Sequence, residues 1–385
     1  MKYINMKKNE YEVVAKPPLV IDNGTGFIKA GFAAEERPAL MFNSYVGRPK
    51  HKRIFTMQAT QELYVGKRAT DNKGLLKLTY PMEHGIIKNK KDMEQLWHYV
   101  YDELKLSSQD QPVLLTEAPL NPLENKRESA KIFLESFSAP GICICSQAVL
   151  SLYSLGKTTG AMLDCGDGVC HAVPVYDGFS ITNCIDRIDF AGRDVTEYLQ
   201  SLLRKSGYCF NTSSEFEIVR AIKERSCSLI TAAKGDEKTA DKEQREPMPY
   251  ILPDGTSIML GDEKYKAPDI LFYPEKAGFE YKGVHEMLYK SIIKTDIDLR
   301  KELFSQIYLS GGTTMFAGFA MRLLNELKEL KAEHIQVKIF SPSERQYSCW
   351  LGGSILASLN SFTKMLISKK EFDEVGVNIL NTKTF

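Results

Sequence analysis

Two turns of one design stand far apart in the chain. Pro18-Leu19-Val20-Ile21 runs into Asp22-Asn23-Gly24-Thr25-Gly26 and leaves as Phe27-Ile28-Lys29-Ala30-Gly31-Phe32, while Ala161-Met162-Leu163 runs into Asp164-Cys165-Gly166-Asp167-Gly168 and leaves as Val169-Cys170-His171-Ala172-Val173. Each reads as strand, D-x-G-x-G, strand: a tight hairpin with an aspartate at its mouth. Paired glycines let the backbone turn sharply and offer N–H groups with no Cβ in the way, so an anion such as a phosphate can approach closely. An aspartate beside it suits Mg²⁺, held directly or through water, because a hard cation with a phosphate needs few protein carboxylates. One such turn is usually just a hairpin. Two in matching contexts, one in each half of the chain, point to a phosphate clamp between two lobes. Ile307-Tyr308-Leu309-Ser310-Gly311-Gly312-Thr313-Thr314 adds an apolar strand entering a glycine pair ahead of a helix, which suits close approach of a nucleotide.

Other phosphate signatures are missing. Gly156-Lys157-Thr158 resembles the end of a P-loop, but Ser151 stands where the first glycine is required, and no G-x-G-x-x-G follows either hairpin. The chemistry predicted is therefore neither of the P-loop nor of the Rossmann kind.

The elements that must carry these turns are of α/β class: apolar β-branched runs ending in glycine-rich turns alternate with amphipathic stretches. A helix is predicted over Ser214 to Ala233, with Ser214 and Glu217 as its capping box, and another from Gly318 to Lys331 with Leu323, Leu324, Leu327 and Leu330 on one side. Ser136 to Gly156 reads as a buried strand followed by a helix, Gly235 to Glu246 as a solvated loop, and Asp254-Gly255 as a hairpin turn. No repeat at solenoid periods and no low-complexity linker separates the parts, so the domains are expected to be interleaved or closely packed.

Across 385 residues, 50 Lys and Arg balance 49 Asp and Glu, for a net charge of +1. That argues against a basic nucleic-acid surface and against an acidic tail. The 8 cysteines include no C-x-x-C pair, and neither the N-terminal stretch nor Ser136 to Gly156 reads as a leader or membrane span. The expectation is a reducing compartment with free core thiols, no nucleic-acid partner and no membrane insertion.

From about Pro18 to Phe385 the chain resembles actin and the actin-related proteins. The phrases that carry the resemblance include Val46-Gly47-Arg48-Pro49, Tyr80-Pro81-Met82-Glu83-His84-Gly85, Leu114-Leu115-Thr116-Glu117-Ala118-Pro119-Leu120-Asn121-Pro122, Ala191-Gly192-Arg193-Asp194 and Gly352-Gly353-Ser354-Ile355-Leu356-Ala357-Ser358-Leu359. Within that family His171-Ala172-Val173-Pro174, Ser213 to Val219, Ala267-Pro268 and the closing Lys383-Thr384-Phe385 look more like the centractin branch, the filament subunit of dynactin; Gly312-Thr313-Thr314-Met315 is closer to actin itself.

The resemblance implies the two-lobed actin-like ATPase fold, each lobe a mixed β-sheet flanked by helices, with ATP or ADP and Mg²⁺ or Ca²⁺ in the cleft. One lobe would span 1–154 and 348–385, with a small subdomain at 44–80 that includes a flexible loop; the other would span 155–347, with a small subdomain at 191–279. Asp22, Gly24, Thr25, Gly26 and Lys29 would form the first phosphate loop and Asp164, Gly166, Asp167 and Gly168 the second. Asp22 and Asp164 would hold the metal through water. Arg220, Lys223, Glu224, Gly311, Gly312 and Met315 would take the adenosine. Gln147, His171 and Asp164 would serve a slow ATP hydrolysis coupled to assembly, in which Gln orients a water and no strong base is needed. His84 would be structural or at most a sensor of nucleotide state. Tyr153, Gly156, Thr158, Leu359 and Phe362 would line the cleft that receives a neighbouring subunit.

Partners implied are the chain itself and other actin-family subunits, with dynactin subunits, capping proteins and dynein on the centractin reading. The implied location is cytoplasmic and cytoskeletal, with centrosome and cilium left open. A conventional, ciliary or nuclear actin-like protein is the runner-up. A sugar kinase would need a carboxylate base and a sugar pocket that no motif supplies, and a chaperone ATPase would need a peptide-binding domain.

Several positions depart from conventional actin. Gln346 replaces a lysine near the adenine, and Cys165 replaces a serine expected beside the γ-phosphate. The loop Lys50 to Leu63 has lost its glycines. Phe272 to Val284 carries Glu275, Lys276 and Ala277 where an apolar plug is expected, which favours a short capped filament. Residues 1 to 18 hold four lysines against Glu10 and Glu12 in place of the acidic cluster that myosin reads, so no myosin partner is expected.

Overall fold

Leu19–Asn23 is buried at every position, so it needs strands on both edges and cover on both faces. In the computed structural model, which describes residues 16–50, 63–231, 246–330 and 336–383, it pairs antiparallel with Phe27–Phe32 and parallel with Val113–Glu117. Leu40–Asn43 extends the antiparallel side, while Gly141–Ser146 and then Ile367–Ser368 extend the other.

The second sheet repeats this plan. Gly160–Cys165 pairs antiparallel with Cys170–Tyr176 and parallel with Ile307–Ser310, which in turn pairs with Ile339–Phe340. Phe179–Ser180 and Asp186–Ile188 flank Cys170–Tyr176. The two D-x-G-x-G turns therefore occupy corresponding corners of two similar sheets.

Each sheet has its own core. Trp97, Phe133 and Phe137 pack under the first, and Phe190, Leu199, Phe304 and Phe319 under the second. The chain passes between them through two helices, Gln147–Tyr153 and Ser348–Ser358. These touch through backbone: a Cβ on Gly352 would lie 1.7 Å from the Leu150 carbonyl oxygen, so the Gly352 position tolerates no side chain at this spacing.

Two small units stand beside these sheets. A three-stranded sheet of Val46–Pro49, Tyr64–Val65 and Leu76–Thr79 leans on the helix Ser213–Ser226, with Leu78 N–H donating to Ser213 Oγ at 3.1 Å. A hairpin of Met248–Ile251 and Ser257–Leu260 turns at Gly255, whose φ of 86° matches the expected Asp-Gly turn. Among the described residues no helix is long and apolar enough to cross a membrane.

Two boundaries differ from expectation. The capping box belongs to Thr212 and Glu215, and the helix ends at Ser226, short of Ala233. Ser214 and Glu217 also fit the pattern, but their side chains are claimed by the segments flanking the small sheet's last strand: Ser214 Oγ donates to the Lys73 carbonyl and Glu217 accepts from the Tyr80 hydroxyl. The strand–helix reading of Ser136 to Gly156 holds as Gly141–Ser146 and Gln147–Tyr153, and the later helix runs Phe319–Leu330. Phe272 and Tyr273 are buried in the second core, while Pro274–Ala277 forms a polar 3₁₀ turn closed by Gly278. Almost all of the loops Lys50 to Leu63 and Gly235 to Glu246, the basic N-terminal segment and the closing Thr384-Phe385 lie outside the described residues.

Candidate functional site

The two Asp-Gly turns face each other across a cavity of about 500 Å³, lined also by the helix Ser213–Ser226 and the segment Gly311 to Ala317. Their approach depends on glycine. A Cβ on Gly26 would lie 2.7 Å from Asp167 Cβ, and one on Gly168 would lie 2.8 Å from Thr25 Cγ2. Gly311, at φ 89°, passes so near Asp164 that a Cβ would lie 2.3 Å from its Oδ1. The parallel register of Asp164 with Ser310 brings that glycine to the second turn.

Charge in the cavity is unevenly matched. Burial opposes ionisation of Asp22, but Lys29 Nζ at 2.7 Å and the Thr116 hydroxyl outweigh it and hold the carboxyl below its usual range. Among the described residues Asp164 has no ion pair of this kind, only the weaker help of the Ser310 hydroxyl. Burial first, and then the facing Asp22 carboxylate, push it up to about 7 despite Lys29. Two buried carboxylates sharing one lysine are what a bound divalent cation would relieve, so the residues fit the expected metal.

Asp167 is held in the opposite sense. Burial disfavours its charge, yet Arg220, Arg193 and Lys223 together lower its pKa, with Arg193 Nη2 at 3.3 Å. Arg220 lies over the Phe27 ring at 4.3 Å and pairs with Glu224 at 3.0 Å; Lys223 Nζ donates to the Gly192 carbonyl at 2.6 Å. The helical spacing of Arg220, Lys223 and Glu224 turns all three into the cavity, where Gly312, Met315 and Gln346 also stand.

Gln147 begins its helix at the cavity wall, with Nε2 donating to Asp22 Oδ1 at 3.3 Å. His171 does not line the cavity. It sits behind Asp164, Nε2 3.6 Å from Oδ2, 1% exposed and with neither ring nitrogen hydrogen-bonded. Burial, helped by Arg187, lowers its pKa to about 3, so the ring is neutral. His84 ties the first lobe to the second turn through Nδ1 and the Gly168 carbonyl at 2.8 Å.

Other expected residues fall elsewhere. Cys165 is fully buried in the second core opposite Cys170 and does not face the cavity, because its side chain alternates to the far side of the strand from Asp164. Of the neighbour-binding set, Gly156 and Thr158 are exposed, Leu359 is 49% exposed, Tyr153 is half-buried with its hydroxyl on the Gly178 carbonyl, and Phe362 is buried at 2%. Phe362 is thus core packing and offers no open anchor.

Sequence reasoning missed Thr116, which donates to Asp22 Oδ1 at 2.7 Å, as well as Arg193 on Asp167 and the cavity-lining Ser310, Phe316 and Cys349. The phrase Leu114-Leu115-Thr116-Glu117 held the only signal for Thr116, a hydroxyl at the end of an apolar run.

Comparison with known proteins covers nearly the whole chain. A family model described as Actin matches residues 14–385. An "Actin-like protein" of Neurospora crassa is 51% identical over 371 residues, covering 95% of this chain and 97% of that protein.

Proposed function

The chain belongs to the actin family, and we propose that it is an ATP-binding protomer of a short actin-like filament, serving as dynactin's filament subunit does in dynein-driven transport along microtubules. The opposition of Asp22 and Asp164 across a glycine-walled cavity is the observation that carries the nucleotide reading. The Gly166 N–H closes its own turn on the Val169 carbonyl at 2.9 Å, so the backbone N–H groups of Gly24 to Gly26 and of Asp167 and Gly168 would hold the phosphates, Lys29 would neutralise their charge, and Asp22 and Asp164 would hold Mg²⁺ or Ca²⁺ through water. Arg220, Lys223, Glu224, Gly311, Gly312 and Met315 would take the adenosine.

Bound Mg²⁺–ATP supplies the reactive phosphoryl group. Gln147, at the cavity wall, would orient a water toward it, and the neutral His171 ring would back the Asp164 carboxyl from behind the cavity; phosphoryl transfer needs positioning and charge stabilisation more than a strong base. The lobes are read as 1–154 with 348–385 and as 155–347, moving about the helix pair Gln147–Tyr153 and Ser348–Ser358.

Support for the centractin branch is the set of sequence phrases above together with the polar turn Pro274–Ala277. Gly312-Thr313-Thr314-Met315 favours conventional actin as the second reading. Equilibrium binding of a fluorescent ATP analogue, with Mg²⁺ or with excess chelator, tests the site: saturable, metal-dependent binding is expected, and no binding with Mg²⁺ present would sink the reading. Electron microscopy of the ATP-loaded chain separates the two branches, short rods from long polymers.

A further inference from the structure

Building on the proposed role of Gln147 in orienting the attacking water, we infer that Thr116 is the positioning residue that decides which end of the Gln147 amide meets that water. Thr116 is 2% exposed, and the hydrogen-bonding capacity of its hydroxyl is fully used. It donates to Asp22 Oδ1 at 2.7 Å and accepts from the Asn23 N–H at 3.0 Å and from Gln147 Nε2 at 3.4 Å. A hydroxyl has one proton and two acceptor sites, so nothing is left over.

Gln147 Nε2 also donates to Asp22 Oδ1, at 3.3 Å. Both groups on this side are therefore acceptors toward Gln147. The flipped amide would set its carbonyl oxygen against a carboxylate and against a hydroxyl whose proton is already committed to that carboxylate, leaving acceptors facing acceptors at the cost of an unmade bond. Oε1 is thus the end presented to the cavity that Gln147 lines. An acceptor there can hold a water by its proton and leave the oxygen lone pair free for attack.

Thr116 does not itself line the cavity. It stands on Val113–Glu117, paired on both edges by Leu19–Asn23 and Gly141–Ser146, so the hydroxyl is carried by a central strand and not by a loop.

Thr116→Val removes the hydroxyl at nearly constant shape, and Thr116→Ser restores it. ATP affinity and single-turnover hydrolysis are measured separately on the full chain. Expected for the valine variant is affinity within about threefold of wild type but hydrolysis slower on the order of tenfold, because the water is misplaced and not unbound. The serine variant should recover. Thr116→Val combined with Gln147→Ala should be no slower than Gln147→Ala alone, since both act through one group. Unchanged hydrolysis in the valine variant, or multiplied losses in the double variant, overturns the inference. If valine prevents folding, Thr116→Cys carries the same comparison, with slow hydrolysis expected from its weak donor. A wild-type chain that neither binds nor hydrolyses ATP overturns the nucleotide reading as well, whereas a wild-type ATPase indifferent to Thr116→Val removes only the role of Thr116.

Discussion

Lys29 pairs with Asp22 and only partly offsets the charge on Asp164, and this asymmetry has a measurable pH signature. Its carboxyl titrates near 7 in the folded chain, against 3.8 as the ordinary value. Below the lower value both states carry the proton. Between the two, only the folded state does, so the contribution of Asp164 to stability is present at low pH and is lost as pH rises to about 7, by on the order of 2–4 kcal/mol. Chemical denaturation of the nucleotide-free chain in chelator should therefore show Asp164→Asn gaining on wild type between about pH 4 and 7. Divalent cations bind the deprotonated form and should reverse the gap above pH 7. A constant difference between the two proteins across that range would mean that Asp164 is already paired. At this scale the sequence exposed the residues inside motifs: Asp22, Asp164 and the glycines declare themselves by spacing. Thr116 could not, because its function is a contact made 94 residues away. Cys165 misled because position in a motif says nothing of which face of a strand a side chain takes.

At the scale of elements, each hairpin is shaped by the other. Strand–turn–strand was readable twice over, since alternation and glycine position are local properties. The fit between the turns is not local, and it explains why Gly26 and Gly168 have no room for a side chain. A methyl on Gly168 would press on Thr25 and on the His84 backbone at 3.1 Å, contacts that cross between the lobes. Gly168→Ala should therefore displace one turn against the other by a few tenths of an ångström and weaken ATP binding about tenfold or more through misplaced N–H groups, with only a small change in melting temperature. Its φ is not in the left-handed region, so the backbone itself accepts alanine. Equal affinity in the variant and wild type would show that the turns slide freely past each other. The capping of Ser213–Ser226 teaches the same lesson from the other side. Thr212/Glu215 and Ser214/Glu217 are equivalent as sequence patterns, and the choice falls to a tertiary claim, the hold of Lys73 and Tyr80, on either side of the small sheet's last strand, on Ser214 and Glu217.

For the whole molecule the question is which surfaces are spare. The duplicated sheet plan leaves two helices, Gln147–Tyr153 and Ser348–Ser358, as the crossing between halves, and the chain emerging from the second runs directly into Leu359 and Phe362. These two were indistinguishable in the sequence, both apolar and three residues apart. Folding separates them: Phe362 joins Val20, Leu114 and Trp350 in the core, while Leu359 stays 49% exposed beside it. The difference makes an internal control for the proposed docking of a neighbouring subunit. Leu359→Asp buries no charge in the monomer, so melting temperature and ATP affinity should stay near wild type while sedimentable assembly is lost, an acidic group being costly in a desolvated contact. Phe362→Ala should instead lower stability by about 3–5 kcal/mol, the usual penalty for emptying a buried aromatic site, and weaken assembly only as far as it unfolds the chain. If Leu359→Asp polymerises like wild type in the same assay, Leu359 is not part of the docking site.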